Sequence, residues 1–298
     1  MKKITTIGIN LGDEHKRRLE NLGELTILES PSSVKDLINK TKNADVIYSD
    51  GNYLLESLPK LKNVFVTYPY IELGVFNSEK LERNKVFVAN ARGGNKDSIV
   101  EWVMFMILSL FRKFIPKVRT TKNFPFELQE SLQNKKVLIV GHGSIGSQIG
   151  VLCKAFGMKV TFFERGDSFK KSSEADLIIN ALNCNSTSKK LLNKSFFMNL
   201  KKGCYFLTFV RPYTYNIDGL IKAIDNGIVA EAAIDCDPED FGDTKNAFYR
   251  KALGNSKILV TPHIAFSTKQ ASENGREIAI QNIESFLKGK PRNILKKK

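Results

Sequence analysis

Three polar side chains stand directly after apolar, strand-like runs, and their types suit proton transfer to an acid substrate. Arg211 follows CYFLTFV, Asp235 follows GIVAEAAI, and His263 follows KILVTP. A histidine moves a proton near neutral pH when a carboxylate pairs with it, and an arginine binds a carboxylate through two parallel hydrogen bonds. Each residue alone could be a solvated strand end, and Asp235 could only cap a turn. The three together favour a reaction site.

The chain has only three histidines, and only His263 follows a residue that directs its side chain away from the sheet. Pro262 ends the hydrogen-bonded ladder of the preceding strand, so His263 points away from the sheet edge. His142 lies inside a glycine loop, and His15 lies in a charged helix with no nearby partner. We interpret both as solvated or spacer residues, which leaves proton transfer to His263.

The strongest local motif is KKVLIVGHGSIGSQIGVLCKAFGMKVTFFER. It predicts a strand over 136–140, a turn through Gly141, Gly143 and Gly146, a helix, and a second strand that ends at Glu164. The first glycine makes the turn, the second lets a pyrophosphate approach the backbone, and the third lets helix and strand pack closely. The helix N-terminus faces the phosphates, and the acid accepts hydrogen bonds from the adenosine ribose. The motif predicts a dinucleotide-binding unit.

The acid that closes this unit also predicts which dinucleotide binds. Glu164 repels a 2′-phosphate and so favours NAD over NADP, although Arg165 beside it weakens that preference. The predicted cofactor-binding residues also include Ser144 and Ile145, which lie between the glycines.

The rest of the chain alternates strand-like and helical segments. Runs such as ITTIGIN, DVIYS and KVFVAN alternate with charged stretches such as DEHKRRLENLG. This alternation predicts an α/β protein with parallel sheets, and 298 residues with 42% apolar content suit two domains with a junction near 91–96. A long helix begins near Asn95 or Asp97 and is apolar nearly all round, so the rest of the chain or a second copy must cover it.

Composition argues against several other classes of protein. The net charge of +15 favours anionic ligands, but no aromatic-basic interleaving accompanies it, so we do not expect nucleic-acid binding. The four cysteines are widely spaced and indicate neither a disulfide framework nor a metal site. The longest apolar run, VMFMILSLF, is too short to cross a bilayer. With no signal-peptide pattern at the N-terminus, we expect a cytoplasmic protein without a membrane partner.

The sequence resembles the D-isomer-specific 2-hydroxyacid dehydrogenases along nearly its whole length. The resemblance lies in GGN at 93–95, GHGSIG, AFGMKV followed by ER, LLN before LKKG, AAID at 232–235, and TPHIAFST. It implies two Rossmann-like or flavodoxin-like domains with parallel sheets and a cofactor cleft between them. The implied substrate domain combines residues 1–93 with 268–298, and the implied NAD-binding domain is 94–267. A homodimer through the helix at 95–113 is also implied.

The resemblance also implies roles for individual residues. Arg211 is similar to the family's substrate-binding and catalytic arginine, and His263 to its acid/base. Asp235 matches the acid that contacts the nicotinamide carboxamide. The glutamate that pairs with the histidine falls in CDPED, where Glu239 fits if one residue is deleted and Asp240 fits without a gap. We prefer Glu239, which preserves the residue type and the preceding proline.

This chain departs from the family pattern in two segments, around the arginine and in the substrate loop. Thr208 replaces the usual asparagine before the arginine, and Pro212 replaces the glycine after it. The family offers two consecutive backbone N–H groups to the substrate carboxylate from a small-residue turn, but here Pro69 has no N–H and Tyr70 replaces a small residue. We expect Tyr70 and Ile71 to contact the substrate. The carboxylate site is either rebuilt or lost.

The activity implied is NAD-dependent hydride transfer between the cofactor and a small 2-hydroxy or 2-keto acid. The alternative is an NAD(H)-binding pseudo-enzyme or regulatory protein on the same fold. Glyoxylate, hydroxypyruvate, a longer 2-keto acid and 3-phosphoglycerate are all open as substrates, so glyoxylate reductase and phosphoglycerate dehydrogenase activities are both candidates. The altered loop favours a larger acid over glyoxylate.

Overall fold

The computed structural model describes residues 1–71, 77–114, 128–164, 166–236 and 247–295. The strands are β1 Lys2–Ile7, β2 Gly23–Leu28, β3 Val46–Ser49, β4 Val64–Thr67, β5 Val86–Ala89, β6 Lys136–Val140, β7 Lys159–Phe163, β8 Leu177–Asn180, β9 Cys204–Thr208, β10 Val229–Asp235 and β11 Ile258–Thr261. The α-helices are α1 Asp13–Glu20, α2 Val34–Lys40, α3 Leu54–Ser57, α4 Ser78–Arg83, α5 Lys96–Phe111, α6 Ser144–Ala155, α7 Lys194–Met198, α8 Ile217–Asp225, α9 Ala247–Leu253 and α10 Lys269–Leu287.

The chain divides into two compact units. Unit 1 combines Met1–Asn95 with Thr268–Lys298, and unit 2 is Lys96–Ser267. The junctions expected from the sequence are at 93/94 and 267/268. The assignment of substrate binding to unit 1 and of cofactor binding to unit 2 stays a prediction at this point.

Unit 1 is built on a five-stranded parallel sheet with the strand order β2-β1-β3-β4-β5. Its central strands are buried on both faces and are therefore almost wholly apolar. The C-terminal helix α10 returns to this sheet, where Ile280 and Ile283 join a core cluster with Phe65. The rings of Phe65 and Phe286 stack at 4.2 Å. Burial of these side chains joins the last segment of the chain to the first.

Unit 2 is built on a six-stranded sheet with the order β11-β10-β9-β8-β6-β7, and every pair is parallel. One face packs against α5 and α6, and the other packs against α7 and α8. Both faces are covered, as parallel sheets require. The predicted α/β class with two parallel sheets is confirmed.

A cluster of charged side chains ties α1 to α10 within unit 1. The Arg18 guanidinium donates to both carboxylate oxygens of Glu277, at 2.7 and 3.0 Å, and to Glu284 at 2.8 Å. His15 Nε2 lies 3.1 Å from the same Glu277 carboxylate. The interpretation of His15 as a residue with no partner is therefore wrong, because its partner comes from a helix at the other end of the chain. The Arg18 hydrogen bonds lower the pKa of Glu277 to about 2.

We predict that Glu277→Gln destabilises the protein by about 1 to 2 kcal/mol at pH 7, allowing for partial exposure of the pair. Because the folded-state pKa is lowered from near 4.5 to about 2, the carboxylate stabilises the fold above pH 4.5, and this contribution is lost as the pH falls through 2. Urea unfolding at several pH values should show the difference from wild type shrinking toward pH 2. The control is Glu14→Gln, whose oxygen lies 4.0 Å from Arg18 on an exposed side chain. A Glu277→Gln variant as stable as the control at pH 7 would contradict the prediction.

Candidate active site

The glycine loop joins β6 to α6 in unit 2 and is shaped by two close backbone approaches. Gly141 has φ 114°, which favours glycine, and a Cβ there would collide with the carbonyl of Ala181. A Cβ on Gly146 would collide with the carbonyl of Gly141. Gly143 precedes the first helical residue and provides no side-chain cap. The first and third glycines are needed for the fold of the loop itself.

Gly143 is different, because a Cβ there would meet no atom within 4 Å. Its Cα faces open space beside the N-terminus of α6, where backbone N–H groups lack intrahelical acceptors. A pyrophosphate can approach such a surface closely and is favoured by the helix dipole. Ser144 and Ile145 begin this first turn. These residues fit a dinucleotide cofactor.

The acid at the end of β7 is held beside the same loop. The Glu164 backbone N–H donates to Asp167 Oδ2 at 2.8 Å, and Lys171 donates to that oxygen at 2.7 Å. His142 Nδ1 lies 3.2 Å from Glu164 Oε1. His142 is exposed, as expected for a solvated residue, and it also contacts Glu164, which the sequence did not predict. Arg165, predicted to lie at the cofactor, is outside the described residues.

Asp235 ends β10 and has only 2% of its surface exposed. Its Oδ1 accepts hydrogen bonds from the Thr261 hydroxyl and from the Ile264 N–H at 2.9 Å, and its Oδ2 accepts from the Ala265 N–H at 2.9 Å. A buried carboxylate needs such hydrogen-bond donors to replace the water that it loses on folding. The side chain therefore secures the loop that follows β11. The predicted contact of Asp235 with the nicotinamide stays a prediction.

His263 lies at the middle of that loop. Its N–H donates to the Thr261 carbonyl at 3.0 Å, which closes a tight turn over Pro262. His263 has φ 53°, an uncommon conformation for a residue with a side chain. Its ring is half-buried and packs edge-on against Phe266 at 5.0 Å. The proline ends the strand as expected, and the Asp235 bonds on the following residues hold the strained turn.

Arg211 follows β9, the neighbour of β10 in the sheet. Thr208 Oγ1 accepts from Asn180 Nδ2 and from the Val210 N–H, both at 3.1 Å. The Arg211 carbonyl accepts from the Thr214 N–H and hydroxyl, each at 3.2 Å. The Thr208 that departs from the family pattern thus orders the turn in front of the arginine.

The three predicted residues come together because β9, β10 and β11 are neighbouring parallel strands. Arg211, Asp235 and His263 all stand at the carboxyl ends of these strands, which is the sheet edge that carries the glycine loop. Glu239 and Asp240, the two candidates for pairing with His263, lie outside the described residues.

The loop after β4 in unit 1 is fixed through its carbonyl groups. The Tyr70 carbonyl accepts from the Ala91 N–H at 2.9 Å. The Ile71 carbonyl accepts from Asn90 Nδ2 at 2.7 Å and from the Tyr68 hydroxyl at 3.2 Å. No acceptor within the described part of the chain takes the N–H of Tyr70 or Ile71. Among the described residues, two consecutive backbone N–H groups thus lack an acceptor despite Pro69.

Helix α10 packs closely against this loop. Gly275 lies so near the Pro69 carbonyl that a Cβ there would collide with it. Asn274 and Arg276, on either side of Gly275, line a cavity of about 540 Å³ together with Asn10 and His15. Across the described ranges, Arg276 takes part in no ion pair. Sequence reasoning missed this cavity because its walls come from the loop before α1, from α1 and from α10, which lie far apart in the chain.

Other chemistries find little support in the described residues. No group of three or more His, Cys, Asp or Glu there is arranged to hold a metal ion. Burial raises the pKa of the Cys153 and Cys204 thiols to about 12, so neither is a thiolate nucleophile at neutral pH. Across the same ranges, the helices all fall short of the length and apolar content that a membrane crossing demands.

The glycine loop, its acid and the three strand-end residues define an NAD-binding oxidoreductase of the α/β class. Residues 104–265 match the sequence model described as D-isomer specific 2-hydroxyacid dehydrogenase, NAD binding domain. This match covers more than half of the chain, which therefore belongs to the D-isomer-specific 2-hydroxyacid dehydrogenase family. The predicted family, NAD cofactor and hydride transfer between NAD and a 2-hydroxy or 2-keto acid are confirmed.

Individual relatives show the breadth of the family. The chain is 25% identical to a hydroxypyruvate reductase of Blautia hydrogenotrophica over 97% of both chains. It superposes with a TM-score of 0.81 on an acyclic imino acid reductase in complex with NADPH and D-Arg, at 18% identity over 99% of this chain and 100% of that one. An NAD-complexed family member from Lactobacillus delbrueckii ssp. bulgaricus gives a TM-score of 0.78 at 17% identity, with the same coverage. At these identities the two solved structures establish the fold alone.

We predict that Asp235→Asn impairs the protein although it preserves side-chain shape. An amide presents one N–H₂ where both carboxylate oxygens now accept, so one backbone N–H loses its acceptor, at a cost of about 1 to 3 kcal/mol. Thermal unfolding should shift downward, and turnover should fall because the His263 turn is no longer held. Thr261→Val, which removes only the hydroxyl donor, is the control and should do less harm. Equal stability of Asp235→Asn and wild type would show that the carboxylate does not secure the loop.

Proposed function

We propose that the protein interconverts a 2-keto acid and its D-2-hydroxy acid with His263 as the acid/base and Arg211 as the substrate-binding catalytic residue. The observation that carries this proposal is the placement of both residues, with Asp235, at one edge of the sheet of unit 2. When bound, the cofactor would supply the hydride as NADH or accept it as NAD⁺. When the keto acid is reduced, His263 donates a proton to the carbonyl oxygen, and in the reverse direction it removes the hydroxyl proton.

The remaining residues bind the substrate and the cofactor or orient His263. Arg211 holds the substrate carboxylate through its planar pair of N–H donors. Asp235 keeps the His263 turn in place, and Glu239 is proposed to pair with the His263 ring. The Tyr70 and Ile71 N–H groups supply two further donors for the carboxylate. The glycine loop and Glu164 bind the pyrophosphate and adenosine ribose.

The substrate proposed is a 2-keto acid larger than glyoxylate with a polar or anionic far end. The cavity lined by α10 is polar, and Arg276 is one of its lining residues. Glu273 and Glu277 line the same cavity, and Arg18 offsets the charge of Glu277 through two hydrogen bonds. Arg276 and Asn274 are the groups proposed to bind an anionic end, against the remaining charge of Glu273. With Tyr70 and Ile71 both able to donate, the preference for a larger acid rests on this cavity rather than on a lost donor.

We also propose that the protein is a cytoplasmic homodimer that associates through α5. Most of this helix is buried in unit 2. Its Phe105 side chain is nevertheless 52% exposed, and Leu108 on the next turn is also exposed. Large apolar side chains adjacent on a helix surface are typical of an interface between subunits. The proposal extends to no nucleic-acid or membrane partner.

The acid/base role can be separated from folding and cofactor binding. We predict that His263→Ala leaves NADH affinity nearly unchanged and lowers turnover by at least ~10²-fold. Arg211→Lys should instead raise the KM of the keto acid, because an ammonium cannot reproduce the planar fork. Fluorescence titration with NADH and steady-state absorbance measure the two quantities. A His263→Ala enzyme of normal rate would remove the proposed mechanism. Tight NADH binding by wild type with no turnover of any acid would favour the pseudo-enzyme alternative.

The substrate proposal makes a second prediction. Among glyoxylate, hydroxypyruvate, 2-oxoisocaproate and 2-oxoglutarate, the doubly anionic 2-oxoglutarate should have the highest kcat/KM and glyoxylate the lowest. Arg276→Ala should lower kcat/KM for 2-oxoglutarate by roughly 10- to 100-fold, the effect of one charge-assisted hydrogen bond, and leave glyoxylate unchanged. Glyoxylate as the best substrate of wild type, or equal losses for both acids in Arg276→Ala, would refute the proposed substrate class.

A further inference from the structure

His142 occupies the second position of the glycine loop and makes two contacts with the neighbouring strand β7. Its ring stacks on that of Phe162, with centroids 3.8 Å apart and planes 16° from parallel. Its Nδ1 lies 3.2 Å from Glu164 Oε1. The parallel register of the two strands pairs Val140 with Phe163, so the residues just beyond each strand must lie side by side.

The contact matters because Glu164 is otherwise restrained only through its backbone. Its N–H donates to Asp167, and its carbonyl accepts from the Asp167 N–H at 3.1 Å. The Glu164 side chain is 63% exposed, and within the described ranges His142 is the only residue that hydrogen-bonds to its carboxylate. An exposed glutamate without such a partner samples many rotamers and loses that freedom when a ligand binds.

We propose that His142 is a specificity-determining positioning residue for the cofactor. It holds the Glu164 carboxylate ready to accept the adenosine ribose hydroxyls, and stacking on Phe162 fixes the ring that does so. The inference rests on the proposed role of Glu164 as the ribose-binding acid. A carboxylate held in place binds the ribose diol without the entropy cost of ordering, and it cannot rotate away from a 2′-phosphate. His142 therefore strengthens discrimination between NADH and NADPH.

Two substitutions separate the hydrogen bond from the ring stacking. His142→Asn keeps an amide donor near the Nδ1 position but removes the stacked ring. His142→Phe keeps a stacked ring but removes the hydrogen bond. The measured quantity is the ratio of the Kd for NADPH to the Kd for NADH, determined by nicotinamide fluorescence at one pH with no keto acid present. His15→Phe is the matched control, because it removes a histidine that pairs with a carboxylate in unit 1.

The expected result is a ratio that falls roughly 3- to 10-fold in His142→Phe, the effect of one ordinary hydrogen bond. His142→Asn should stay within about 2-fold of the wild-type ratio. His15→Phe should leave the ratio unchanged. A measurement of unfolding by urea shows whether each variant is folded.

The inference is overturned if His142→Phe retains the wild-type ratio, or if His142→Asn loses as much as His142→Phe. Glu164→Ala tests the premise separately and should reduce the ratio further than either histidine variant. An unchanged ratio in Glu164→Ala would remove both the ribose-binding role of Glu164 and the inference about His142. A reduced ratio in Glu164→Ala with no effect of His142→Phe would remove the inference alone and leave the proposed function intact.

Discussion

The buried carboxylate of Asp235 is the interaction on which the arrangement of the reaction site depends. A charge with 2% exposure is tolerated only when hydrogen bonds replace its water, and here a hydroxyl and two backbone N–H groups do so. All three donors belong to the end of β11 and the loop after it. The same bonds that satisfy the charge therefore impose a left-handed conformation on His263. One set of hydrogen bonds therefore both satisfies the buried carboxylate and fixes the backbone conformation of His263.

Close backbone approach plays a similar part in both units. In unit 2, the backbone at Gly141 and Gly146 lies so close to neighbouring carbonyl groups that neither position has room for a Cβ. This close packing leaves the N-terminus of α6 open to a ligand. In unit 1, Gly275 brings α10 against the Pro69 carbonyl. That contact helps to fix the loop that carries the Tyr70 and Ile71 N–H groups, for which the described residues provide no acceptor. In each case a glycine without a side chain allows two backbone segments to come into close contact.

Much of the fold and of the cofactor site could be predicted from the sequence, because the signals are local. The alternation of strands and helices predicts parallel sheets. Two neighbouring parallel strands must be joined by a crossover connection, which is usually a helix. The GHGSIG loop and Glu164 occupy one continuous β-α-β segment, so their spacing alone indicates a dinucleotide. Arg211, Asp235 and His263 could be grouped because each directly follows a strand, and parallel strands end at a common edge.

What the sequence determined by itself is therefore the fold class, the NAD-binding unit and the identity of the strand-end residues, all of which depend on periodicity and short-range spacing. Only the tertiary structure decided the contacts between residues far apart in the chain. His15 finds Glu277 in a helix 262 positions away, and Asp235 accepts its bonds from residues about 30 positions later. The donors at Tyr70 and Ile71 depend on which backbone groups Asn90 and Ala91 already occupy. Such pairings follow from packing of the whole chain, which no local pattern encodes.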